Sequence, residues 1–371
     1  EIENVPEHSR FMTNNNFKTK VKISGKKIAF MGDSIGDNVA LFFEKAAGLD
    51  GNKLKWLVPD PKRMDRTWIN EGEETGEGGY LSFLRLNALF TSDNMAVDEE
   101  SSGPSQWSPA FYQDFAKTYG SPDVFIYLIP WPFMAGFSGE NMKGINVGPE
   151  ELDQIVNNAY HLLRPKTFIF LTTPANNNAI YDGLASLRKD NEVIRNFVRQ
   201  YSPPSPSEGI QNVMFMDFEK LTDALILANA EVMSIPPEMA FSHINTGVDK
   251  EADPTYYYPQ LTAMACAGTT PPAHPVNIGS CPDKRRGIIS RDGIHWCDKT
   301  TGPRATAGLA CLIDCVSNDS DDIEDRPEQL RECEFACNHI YMNLDSVFVL
   351  DKTSQEIDSK QGHLENIQVD H

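Results

Sequence analysis

The residue types that could do chemistry together lie far apart in the chain. Gly32-Asp33-Ser34 comes early, and Asp292-Gly293-Ile294-His295 comes late. A serine hydroxyl becomes a nucleophile when a histidine takes its proton, and a carboxylate on the other ring nitrogen fixes the histidine tautomer. Ser34, His295 and Asp292 are therefore the candidate nucleophile, general base and orienting acid. The apolar run ending at Met31 reads as a buried strand, and Val39 to Ala47 reads as a helix. A serine at such a turn sits at a sheet end, beside backbone N–H groups at the positive end of a helix dipole. The Ser34 N–H is the first candidate oxyanion donor. Gly79 is the second, because a glycine lets its backbone approach a ligand closely, and Gly78 is its equal on chemistry alone. The chemistry expected is acyl transfer through an acyl-enzyme, which calls for no cofactor and no metal.

Elements that would position these groups follow from patterning. Asp123 to Ile129 is a continuous apolar run between Pro122 and Pro130, as a fully buried parallel strand would be. Lys166 to Thr172 repeats it, and Val213 to Asp217 gives a shorter strand. Leu54 to Val58 and Tyr80 to Phe90 are further strand candidates. Helices are expected over Ser108 to Tyr119, Pro149 to Leu163, 188–201, Phe218 to Val232 and Ala305 to Val316. Strands alternating with helices predict an α/β fold with a mostly parallel sheet covered on both faces. Ligands of such sheets gather at the carboxyl ends of strands, which is where Ser34 and the Asp-x-x-His segment would fall.

The chain has 371 residues, and 33 basic against 53 acidic residues give a net charge of −20. That balance argues against a nucleic-acid partner or an anionic membrane surface. No apolar stretch is long enough to suggest a transmembrane segment. Glu1 is not an initiator methionine and no signal peptide is evident, so the sequence reads as a mature or trimmed chain.

All seven cysteines fall after residue 265. Cys311-x-x-x-Cys315 and Cys333-x-x-x-Cys337 each put two thiols one turn apart on a helix face. Two such helices packed antiparallel would form Cys311–Cys337 and Cys315–Cys333. Zinc sites more often show closer spacing with histidine partners. Cys281–Cys297 is the favoured third pair, clamping the loop around Asp292 and His295, and one of Cys266, Cys281 and Cys297 is left over. Asn318-Asp319-Ser320 is a glycosylation sequon. Cysteines and sequon together point to an oxidising environment, the secretory pathway (Golgi lumen) or the extracellular space. The acidic stretch Asp319 to Asp325 reads as a solvated linker.

Gly32-Asp33-Ser34 with Asn38, and Asp292-Gly293-Ile294-His295-Trp296-Cys297, resemble the two signatures of the PC-esterase group of SGNH/GDSL-like hydrolases. That group includes the trichome-birefringence-like polysaccharide O-acetyltransferases and the sialate and glucuronoxylomannan O-acetylation proteins. The strand after Gly79, and Pro122 to Ile126 running on to Trp131, are similar to the group's intermediate blocks. The resemblance covers residues 26 to about 315. It implies a three-layer α/β/α sandwich, Ser34, Asp292 and His295 as the triad, and Gly79 as an oxyanion residue. Asn38 and Trp131 are candidate substrate-binding positions, and a carbohydrate or other acylated substrate is the expected partner. Two departures stand out. Asp37 occupies a position where the plant enzymes have arginine, and Ile129-Pro130-Trp131 lacks the usual block-three asparagine.

The domain organisation expected is an arm over 1–20, a catalytic unit over 21–310 with an irregular excursion at 234–287, a disulfide-linked helical hairpin over 311–345, and a tail over 346–371. The functional expectation is a serine esterase or O-acetyltransferase acting on carbohydrate hydroxyls. The alternatives are a non-catalytic carbohydrate-binding or cell-surface protein with the same fold, and a GDSL-type lipid esterase.

Overall fold

The computed structural model of the chain describes residues 25–47, 54–57, 65–69, 78–86, 89–91, 109–130, 147–174, 183–205, 208–232, 296, 301–317 and 326–342. In chain order its elements are β1 (Lys27–Gly32), α1 (Ser34–Ala46), β2 (Leu54–Trp56), β3 (Arg66–Ile69), β4 (Tyr80–Arg85) and α2 (Pro109–Tyr119). Then come β5 (Val124–Leu128), α3 (Pro149–Leu162), β6 (Thr167–Leu171), α4 (Gly183–Gln200), β7 (Asn212–Met216) and α5 (Phe218–Val232). Two cysteine-bearing helices follow, α6 (Gly302–Ser317) and α7 (Arg326–Met342).

The sheet order is β2-β3-β4-β1-β5-β6-β7. The five strands from β4 to β7 are all parallel, and β2 and β3 add an antiparallel edge. An α/β fold with a mostly parallel sheet is thus what the chain adopts. Strand β3 has no counterpart in the sequence reading, since four residues are too few to show a period. Pairing supplies what local pattern lacks: Thr67 lies opposite Ser82, whose hydroxyl donates to Thr67 Oγ1 at 2.7 Å.

The side-chain period of two divides the core into two layers. Ile28 and Phe30 of β1, with Val124, Ile126, Ile169 and Met214 on the neighbouring strands, pack against α1, α5, α6 and α7. Ala29, Met31, Phe125, Tyr127, Phe168 and Phe215 face the other way, onto α2, α3 and α4. Both faces are therefore covered, giving three layers.

The paired cysteines join as their spacing predicts. Cys311 bonds Cys337 and Cys315 bonds Cys333, with Cα–Cα separations of 5.7 and 5.9 Å. The hairpin is not an appendage, however. The boundary expected at 310/311 falls inside α6, whose Ala305, Leu309, Leu312 and Ile313 lie in the same core cluster as α1 and β1. No helix among the described residues is long and apolar enough to cross a membrane.

Candidate active site

The chain leaves β1 toward β4 on one side and later returns to β5 on the other. The helices after β1 and β5 consequently lie on opposite faces. This is a switch point of a doubly wound sheet, and a crevice opens at the carboxyl ends of the two strands. Ser34 stands there, two residues beyond the end of β1 and half-buried. Gly32 permits the approach: a Cβ at this position would meet Leu128 O of β5 at 3.0 Å.

Helix α1 begins at Ser34, five residues before the start that apolar spacing suggests, because Asp33 caps it. The Asp33 carboxylate accepts from the N–H of Ile35 at 2.8 Å and of Gly36 at 3.4 Å, the usual arrangement for orphan donors of a first turn. Two of the N–H groups expected to favour an oxyanion are therefore engaged by the cap. The Ser34 N–H makes no hydrogen bond to another described residue. Asp37 is buried in the same turn and donates its N–H to Asp33 O at 2.9 Å.

Asn38 lies one turn below Ser34 on the same face of α1, about 6 Å along the axis. It is not an exposed substrate contact. Only 1% exposed, it accepts the backbone N–H of Trp296 on Oδ1 at 2.9 Å, across 258 residues of sequence. Trp296 itself is 1% exposed and packs in the α1-side core. The chain then enters α6, whose Gly302 lies so close to Phe42 that a Cβ would stand 3.1 Å from the ring. Asn38 Nδ2 and Trp296 Nε1 are buried and have no hydrogen-bond partner among the described residues.

Gly79 is a correction to the expected oxyanion hole. Register places Tyr80 opposite Lys27, so Gly79 lies beside Lys26 at the amino end of the parallel strands. Ser34 is at the carboxyl end, roughly 20 Å away along a strand. Glycine is needed at 79 for packing, since a Cβ there would meet Lys26 O at 2.5 Å. Gly78 shares that end of β4. Asp292, His295, Trp131, Cys281, Cys297 and the sequon Asn318 lie outside the described residues.

A polar network that the sequence reading does not contain joins the carboxyl ends of β6 and β7 to α4. Asn191 accepts the Thr173 N–H at 2.8 Å and donates to Thr173 O and Glu219 Oε2, both at 2.8 Å. Arg195 bridges Asp217 and Glu219 at 2.6 Å each. Burial pushes Glu219 up to about 7 despite the adjacent guanidinium. Asp190, 2% exposed on the same helix, is likewise raised to about 7 by burial. An Asn and an Arg four residues apart share one helix face, which is the signal the sequence held.

Compared with protein-family models and with curated protein sequences, this chain matches none.

Proposed function

We propose that the protein is a serine-dependent esterase or O-acyltransferase acting on carbohydrate hydroxyls, with Ser34, His295 and Asp292 as its triad. The observation that carries this reading is the Trp296 N–H to Asn38 Oδ1 bond. It holds the residue immediately after His295 one helical turn from Ser34, at the carboxyl end of β1. His295 is joined to Trp296 by a single peptide bond, whose Cα–Cα span is about 3.8 Å.

In the mechanism, His295 removes the Ser34 proton as Oγ attacks the acyl carbonyl. Asp292 orients the imidazole and stabilises its protonated form. The oxyanion of the tetrahedral intermediate is met by the Ser34 N–H, and a preorganised donor of this kind is typically worth about 3 kcal/mol. Collapse breaks the acyl C–O bond, and the imidazolium protonates the departing alcohol. A water or a sugar hydroxyl, deprotonated by His295, then attacks the acyl-enzyme and regenerates Ser34. The two disulfides support function in an oxidising compartment, within the secretory pathway or outside the cell.

A non-catalytic carbohydrate-binding protein is the second reading. It is favoured by the Asp33 cap, which engages two helix-terminal donors, and by Gly79 lying at the far end of the sheet. Turnover of a chromogenic acetyl ester by the full chain, lost in Ser34→Ala with the fold intact, separates the readings. Adding an acetylated donor and neutral oligosaccharides then distinguishes transfer, read as acceptor mass gain, from hydrolysis, read as free acetate. Absence of any serine-dependent turnover would leave the binding reading.

A further inference from the structure

We propose that the edge of the sheet at β7 is a docking groove for an extended, acidic peptide segment of another protein. In a parallel pair, alternate residues of an edge strand turn their N–H and C=O groups outward. On β7 the outward residues are Val213 and Phe215, because Met216 O accepts from Thr172 of β6. Helix α7 covers the upper half of this edge with side chains. Glu334 accepts the Phe215 N–H at 2.9 Å, and Asn338 donates to Phe215 O at 2.9 Å while accepting the Asp217 N–H at 2.7 Å. An edge capped in this way resists pairing with other chains. The cap stops there. Val213, one step down the strand, has no such side-chain partner among the described residues, and it lines a groove of about 1020 Å³.

The groove's charge is opposite to that of the protein. Arg164, Lys166, Arg199, Lys220 and Arg331 line it, in a chain of net charge −20. Its two acidic residues are already engaged, Asp217 by Arg195 and Glu334 by the Phe215 N–H. Lys166 and Arg199 make surface pairs with Asp123 and Glu192, which are weak and exchangeable. Phe335 on the α7 wall is 71% exposed and stacks on His339 with 4° between the ring planes. Tyr201 lines the opposite wall, fixed by its hydroxyl donating to Ile210 O at 2.8 Å. Unpaired strand backbone, aromatic walls and a cationic rim are the parts of a strand-addition site. Side chains of an added strand alternate, so apolar residues would meet the aromatic walls while acidic ones reach the basic rim. The backbone groups at Val213 favour a peptide over an anionic polysaccharide, which has no strand to pair.

The test uses the full chain and a fluorescent ten-residue peptide of alternating valine and glutamate, read by anisotropy. Saturable binding is expected, weakened at least tenfold by Arg164→Glu with Arg331→Glu and weakened by added salt. Methylating alternate backbone nitrogens of the peptide, with its charge unchanged, is expected to abolish binding to the unaltered chain. This second comparison holds even if the double variant fails to fold. Equal binding of methylated and unmethylated peptides, or displacement by a sulfated polysaccharide at matched charge concentration with no effect of methylation, would overturn the proposal. Neither readout depends on catalysis, so failure here is distinct from failure of the esterase reading.

Discussion

Asn38 Oδ1 accepts the Trp296 backbone N–H at 2.9 Å, tying the first turns of α1 to a residue 258 positions away. Both residues are 1% exposed, so this bond works in a dry environment. Its loss would leave a buried N–H unsatisfied, at a typical cost of 1–3 kcal/mol.

Asn38→Ala is therefore expected to lower esterase turnover about tenfold or more while leaving most of the chain folded. Asn38→Asp keeps an acceptor oxygen and is expected to retain more activity than the alanine variant. Equal turnover in all three proteins, measured with an acetyl ester, would show that the anchor has no bearing on the site.

Gly79 provides a contrasting case. A Cβ at this position collides with Lys26 O, so Gly79→Ala is expected to destabilise by about 1–3 kcal/mol through overpacking. Its kcat, corrected for folded fraction, is expected to match the parent chain. A large drop in kcat at unchanged melting temperature would return Gly79 to the oxyanion hole.

The five parallel strands were legible because their signals are local, apolar runs bounded by turn residues. The pairing of Cys311 with Cys337 and Cys315 with Cys333 followed from one-turn spacing on two helices packed antiparallel. What escaped depended on register or on distant partners. Gly79 adjoins a strand that could be recognised, yet only pairing with β1 shows which end it occupies. Asn38 is a plain polar residue in a helix until Trp296 arrives beside it. Strand β3 exists through its contacts with β4, and the start of α1 depends on a side-chain cap rather than on apolar spacing.

Glu334 makes stability pH-dependent. Burial pushes its carboxyl up from the ordinary 4.5 to about 7, opposed by the Phe215 N–H, by Arg199 on α4 and by Arg331 on α7. A raised carboxyl binds its proton more tightly folded than unfolded. The associated stability is fully present below pH 4.5 and is lost as pH rises through about 7. Glu334→Gln is expected to flatten the decline in stability between pH 5 and 8, by about 1–3 kcal/mol. Denaturant melts at several pH values check this, and an identical slope in both proteins would contradict it.

The disulfides hold α7 where it caps the β7 edge. Their closed segments separate the cysteines by 26 and 18 residues, for which loop entropy suggests about 3 kcal/mol each. Replacing Cys311 and Cys337 together by serine is expected to lower the melting temperature and to raise hydrogen exchange at Phe215 and Asp217. Unchanged protection at those two amides would show that α7 stays seated without the bond.

The most direct measurement is intact-protein and peptide mass spectrometry after treatment with a fluorophosphonate. A single adduct on Ser34 is predicted, reduced at least a hundredfold in rate by His295→Ala and absent in Ser34→Ala. A folded chain that takes up no label at Ser34, or labels equally fast without His295, would contradict a Ser34–His295 catalytic pair.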